Sequence, residues 1–294
     1  MNQKATNRVK PYEELEFRDN FMFSRVMLDK QLCRDVLECL LQHPVGELDD
    51  PIPEREFQHT SDGKSIRLDI YTRYESTVYD AEMQNLNHKS IDSLQLPRRT
   101  RFYQASIDMD HLDKGESYRT LPDSTILFIC TFDPFGKGLS KYTLRGICEE
   151  DRDIIIDDGA ERIFYNCSYR GGDIPADLRQ FYDYVETGRS SNDLTKRIDR
   201  AVENARLKEE WRSIYMYYDI NIMDAREEGR EEGRAEGREE GRAEGREEGR
   251  VEGREEGRAE GRAEERKNTE AAIRRAEIAE ERVKELEAKL SSVQ

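Results

Sequence analysis

Apolar residues follow different spacings in different parts of this chain. Between Asp19 and Leu41 they recur with helical spacing. Phe21, Phe23, Val26, Met27, Leu32, Val36, Leu37, Leu40 and Leu41 supply one broad apolar face. Asp19 or Asn20 can cap this run, and a break near residues 28–30 predicts two helices rather than one. A Pro-rich acidic loop, Gly46 to Pro53, follows His43-Pro44 and leads to a weak strand at Glu54–His59. Asp62-Gly63 signals a turn. The period then shortens to two. Ser65 to Gln84, SIRLDIYTRYESTVYDAEMQ, reads as two strands joined by a polar turn at residues 74–77.

After a polar loop at 85–89, residues 91–112 have a helical pattern in which Pro97 marks a kink or a second start. Leu94, Phe102, Ala105, Ile107 and Leu112 are the positions expected to face a sheet. Ser124 to Phe132, STILFICTF, is an almost unbroken apolar run, as in a strand covered on both faces. Further strands are expected at about 141–147, 153–156 and 162–167. Helices follow from Pro175 to Val185 and from Asn192 to Met223.

Beyond residue 225 the pattern changes again. Gly recurs at every fourth position from 229 to 261, mostly within Glu-Gly-Arg. Glu and Arg three apart, such as Glu227 and Arg230, favour a helix. Each interior Gly opposes it by about 1 kcal/mol relative to Ala. A period of four drifts by roughly 40° per repeat around a straight helix, so the Gly row makes no fixed seam. The final stretch does make one. Ala272, Ala276, Ala279, Val283, Leu286, Leu290 and Val293 follow 4-3 spacing, a short coiled-coil seam over about 269–293 that predicts self-association, parallel or antiparallel.

Charge narrows the options. The 294 residues carry a net charge of -16, with -11 in residues 1–224 and -5 in the tail. A non-specific nucleic-acid binder is usually basic. Contact with DNA here must therefore come from a metal, an oligomer or a local patch, of which Arg98, Arg99 and Arg101 are the nearest candidate. The same cluster also reads as a solvated helix start. Five Cys (33, 39, 130, 148 and 167) fit neither a disulfide framework nor a CxxC metal site, and the four His show no zinc-like spacing. With no signal-peptide pattern and no membrane-length apolar run, the expectation is a reduced, cytoplasmic protein with no membrane partner.

The chemistry concentrates in the 65–84 hairpin. Arg67, Asp69 and Tyr71 share one face of the first strand, and Glu82 and Gln84 share one face of the second. Pairing of the strands would bring Asp69 and Glu82 together as an oxygen-rich pocket suited to Mg²⁺.

The order of elements, with the stretches FRDNFMFSRVMLDKQLCRDVLECLL, SIRLDIYTRY, TVYDAEMQ, RRTRFYQASIDMDHL and ILFICTFDPFG, resembles the PD-(D/E)XK nuclease superfamily. The resemblance is closer to its Rpn-type recombination-promoting nucleases, also described as PD-(D/E)XK transposases. It implies an α/β, restriction-endonuclease-like αβββαβ core with added C-terminal helices and a long, partly coiled-coil helical tail. It further implies a flexible lead-in over 1–15, a nuclease-like domain over 16–224 (core to about 170, helical extension over 171–224) and the tail over 225–294.

The implied activity is Mg²⁺-dependent DNA endonucleolysis, with Mn²⁺ as an alternative ion. Asp69 and Glu82 would be the metal-binding acids and the Met83 carbonyl a further ligand. Gln84 stands where the superfamily usually has Lys. It can orient water or donate to phosphate but cannot carry charge. Arg101, Tyr103 and Gln104 would lie beside the phosphate, and Glu38 would add an acid from the first helices, with Asp35 and Asp19 next in line. The competing expectation is a catalytically weak or inactive nuclease-fold module that binds DNA or a protein partner. In both cases the tail would set a homo-oligomer, a dimer in the simplest case.

Overall fold

The computed structural model describes residues 10–58, 65–85 and 95–291. The expected turn at residues 62–63, the strand end at His59, the 86–89 loop, the start of the 91–112 helix with Leu94, and the seam position Val293 lie outside the described residues. The chain divides into two compact units, Met1–Asp219 and Ile220–Gln294.

The first unit is an α/β fold around a mixed six-stranded sheet in the order β1-β2-β3-β4-β6-β5. Two helices come first, α1 (Asn20–Val26) and α2 (Lys30–Leu41), with the Asp29 carboxylate capping the Leu32 N–H at 2.9 Å. The division expected near residues 28–30 is thus a capped helix start. Three antiparallel strands follow: β1 (Ile52–Phe57), β2 (Ile66–Tyr74) and β3 (Thr77–Gln84). Glu75, left-handed at φ +50, closes the β2–β3 turn. Helix α3 (Leu96–His111) leads to β4 (Asp123–Cys130), which lies parallel to β3. Pro97 sits at the start of α3, where its missing N–H costs nothing.

β5 (Lys141–Leu144) forms the sheet edge against β6 (Ala160–Asn166), which runs parallel to β4. The strand expected at 153–156 is absent. That stretch contributes only an isolated bridge, Ile147 to Ile155. Helices α4 (Ala176–Thr187) and α5 (Asp193–Arg206) complete the layer that contains α1 and α2. The long helix expected from Asn192 is interrupted at Leu207–Lys208, after which α6 (Glu209–Ser291) begins.

Two apolar clusters sandwich the sheet. One joins α1, α2, α4 and α5 to Ile70, Tyr79, Ala81, Met83, Leu127 and Ile129. The other joins α3 to Leu68, Tyr71, Val78, Ile126, Phe128 and Phe164. β4 alternates between them, which explains its unbroken apolar run. Tyr12 and Leu15, within the segment expected to be a loose lead-in, are buried, and the Tyr12 hydroxyl donates to the Ala205 carbonyl at 2.6 Å. The second unit is helical along its described length. Val251, Ile273, Ile278 and Val283 are all about half exposed there, and a methyl group added at any of its nine glycines would meet nothing.

Candidate functional site

β2 and β3 pair regularly from Tyr74 opposite Thr77 to Ile70 opposite Ala81, and the pairing stops there. Side chains replace the ladder beyond that point. The Met83 N–H donates to Asp69 Oδ2 at 3.0 Å, and the Asp69 N–H donates to Glu82 Oε1 at 2.8 Å. Each carboxylate thus takes a backbone donor from the strand that carries the other. The N–H and C=O of a strand residue point to the same edge, so the Met83 carbonyl also points to the β2 side, past the end of the ladder.

The irregularity continues into β1, which kinks at the same level. Its register places Glu54 opposite Asp69, and Glu54 is left-handed at φ +53. A non-Gly residue there is strained. Arg25 Nη2 holds the Glu54 carboxylate at 2.9 Å, with the Arg25 guanidinium seated over Phe21. The kink also changes the alternation of β2: Leu68 packs on the α3 side and Ile70 on the α1/α2 side. In a regular strand they would share one face, as the sequence reading assumed.

β3 presents Asp80, Glu82 and Gln84 in a row beneath α3. They are 0%, 1% and 5% exposed. Three acids, these two and Asp69, therefore crowd a poorly solvated region. Burial pushes Asp69 up to about 7, against the lowering effect of the Met83 N–H and Arg99. Burial, then the charges of Asp69 and Asp80, push Glu82 well above the usual range. Burial, then Asp69, does the same to Asp80, neither of whose oxygens has a hydrogen-bond partner among the described residues. Such a group is costly unless something cationic compensates it.

Arg67 favours the charge of Asp69, and Arg99 favours that of all three acids. Arg99 Nη1 donates to Gln84 Oε1 at 3.0 Å, and its Nη2 donates to the Tyr103 hydroxyl at 2.9 Å and lies 3.6 Å from Glu82 Oε2. Burial works against its charge, and Tyr103, Glu82 and Asp69 outweigh that effect to hold it protonated. From α1, Asn20 Nδ2 donates to Asp69 Oδ2 at 3.2 Å.

Of the residues expected from the sequence, Asp69, Glu82, Gln84 and Tyr103 converge. Arg101 is exposed, and Arg99 stands in the place expected for it. Gln104 is buried, but its Nε2 donates to Ser124 Oγ at 2.6 Å and to Asp108 at 2.9 Å. Glu38 is also engaged elsewhere, accepting the Val45 N–H at 3.0 Å to fasten the loop after α2. Asp35 pairs with Arg197, and Asp19 with Lys10. The contribution of the first helices is therefore an amide, Asn20, and not an acid. Asp80 was missed, Arg99 was named only as part of a basic patch with Arg98 and Arg101, and Asn20 only as a helix cap. Asp80 could have been found, since it shares the period-two face of Glu82 and Gln84.

The donors at this site are hard oxygens, which suit Mg²⁺, an ion commonly held by one or two carboxylates with water and phosphate completing its shell. Among the described residues, no group of three or more His, Cys, Asp or Glu gathers to hold a metal unaided. Asp69, Glu82 and the Met83 carbonyl fit a partial shell of that kind. No helix among the described residues is long and apolar enough to cross a membrane. Comparison with family models, curated proteins and solved structures gave no match for this chain.

Proposed function

We propose that the first unit is a restriction-endonuclease-like nuclease that hydrolyses phosphodiester bonds in DNA, in the manner of the PD-(D/E)XK recombination-promoting nucleases. Asp69 and Glu82, with the Met83 carbonyl, would hold Mg²⁺ or Mn²⁺. The observation that carries this reading is the mutual locking of the two carboxylates at the end of the β2–β3 ladder. It fixes two acids side by side in a region where burial disfavours their charge, which a cation bound between them would restore. A cation bound there would supply Lewis acidity and a lowered pKa for its water. Asn20 and the Met83 N–H orient Asp69, and the Asp69 N–H orients Glu82.

A second reading has its own support. The amide oxygen of Gln84 already accepts from Arg99, which leaves it one lone pair and no positive charge to offer a substrate. A nuclease-fold module that binds DNA or a protein without cutting is consistent with that bond.

Calorimetric titration of the full chain with Mg²⁺ tests the metal site. Wild type is expected to bind, and Asp69→Asn and Glu82→Gln to lose the heat. Absence of binding by wild type would contradict the nuclease reading. We also propose that the tail joins copies of the chain into a dimer through the seam at 269–293, where the half-exposed Val283 lies.

A further inference from the structure

Stabilising a phosphoryl transition state takes positive charge placed before the reaction begins. Gln84 cannot provide it. We propose that Arg99, delivered from α3 and anchored on the Gln84 amide oxygen, supplies at the scissile phosphate the positive charge that residue 84 lacks. This inference rests on the nuclease reading above.

The guanidinium is held on several sides. One nitrogen is fixed by Gln84 and the other by Tyr103, with Glu82 3.6 Å away. Its carbon lies 5.4 Å from the Tyr103 ring centroid and 5.9 Å from that of Phe128. These contacts set its position, as a planar fork permits and a flexible ammonium does not. The Arg99 side chain nevertheless remains 33% exposed, whereas that of Glu82 is 1% exposed. The Arg99 side chain is therefore the part of this cluster that solvent, and so a phosphate, can reach.

A guanidinium does not titrate in this range, so its role is electrostatic. In the overall step, a water oxygen bonds to phosphorus and one phosphorus–oxygen ester bond breaks. The bonding pair leaves on the sugar oxygen, which takes a proton from solvent, and the attacking water releases one. Arg99 offsets the charge that builds on the phosphoryl oxygens. Gln84 becomes a positioning residue for Arg99, which gives its bond from Nη1 a purpose.

The test is steady-state cleavage of a fluorescent DNA duplex in Mg²⁺ by the full chain, alongside thermal melting and Mg²⁺ calorimetry. It compares wild type, Arg99→Gln, Arg99→Lys and the double variant Arg99→Gln/Gln84→Lys. Arg99→Gln is expected to lower kcat by about 10²–10³-fold with little change in KM. Its Mg²⁺ affinity should be undiminished, because the carboxylates lose a competing cation. Arg99→Lys should recover part of the rate, and the double variant at least about tenfold over Arg99→Gln. The inference is overturned if Arg99→Gln cleaves like wild type, if its loss is matched by lost Mg²⁺ binding or folding, or if the double variant gains nothing. A wild-type chain that cleaves no DNA overturns the nuclease reading, and this inference with it.

Discussion

Asp80 is the residue whose burial is hardest to justify by stability alone. It is fully buried opposite Tyr71 and Ile126, and both its oxygens lack hydrogen-bond partners among the described residues. A carboxyl left that way costs about 1–3 kcal/mol relative to an apolar side chain that fits. Asp80→Val, which also suits a strand, is expected to stabilise the protein by an amount of that order in urea unfolding. Destabilisation would mean that Asp80 has a partner which the geometry does not reveal. Arg99 is the complementary case, a charge held by Gln84 and Tyr103 within 3.6 Å of the Glu82 carboxylate. Asp69 and Glu82 were legible because acids among apolar strand residues stand out against period-two alternation. Arg99 was not, because three arginines within four positions look alike until the helix phase is known.

The helix phase is an element-scale property, and it was misread. The expected sheet-facing set on α3 included Phe102 and Ala105, yet both are exposed. The buried face is instead Leu96, Thr100, Tyr103, Gln104 and Ile107, with Arg99 at its edge. Apolar periodicity finds the inward face of a helix when that face is apolar. Here the sheet beneath carries Asp80, Glu82 and Gln84, so the helix turns polar groups toward it.

The kink at Glu54 was illegible for a different reason. A left-handed backbone at a Glu leaves no local mark, and its support, Arg25, lies 29 residues away. The tail helix, by contrast, follows directly from its composition. Because nothing approaches its glycines, Gly241→Ala, Gly245→Ala and Gly249→Ala are each expected to favour the helix by about 1 kcal/mol, seen as a higher-melting circular dichroism signal. If these glycines instead let two copies approach closely, the triple variant would sediment as a smaller species than wild type.

For the whole molecule, the sequence predicts an α/β unit with C-terminal helices, which is what forms; its expected boundary at residues 224–225 differs from the division into compact units at Asp219–Ile220. It did not anticipate that the segment before residue 16 packs into the core through Tyr12 and Leu15. Two buried residues in a polar stretch are too few to give a period.

The net charge of -16 also acts at this scale. It makes tight, metal-independent binding to DNA unfavourable, so a nuclease of this composition would depend on its cation and on local arginines for grip. That dependence makes one measurement decisive for the central claim: nicking of supercoiled plasmid by the full chain with Mg²⁺ and with EDTA, beside Asp69→Ala and Glu82→Gln variants that melt cooperatively. If Asp69 and Glu82 hold a catalytic cation, wild type converts supercoiled to open-circular DNA only in Mg²⁺, and each variant slows the conversion by at least about a hundredfold. Equal nicking by wild type and both variants, or none by wild type, would contradict it.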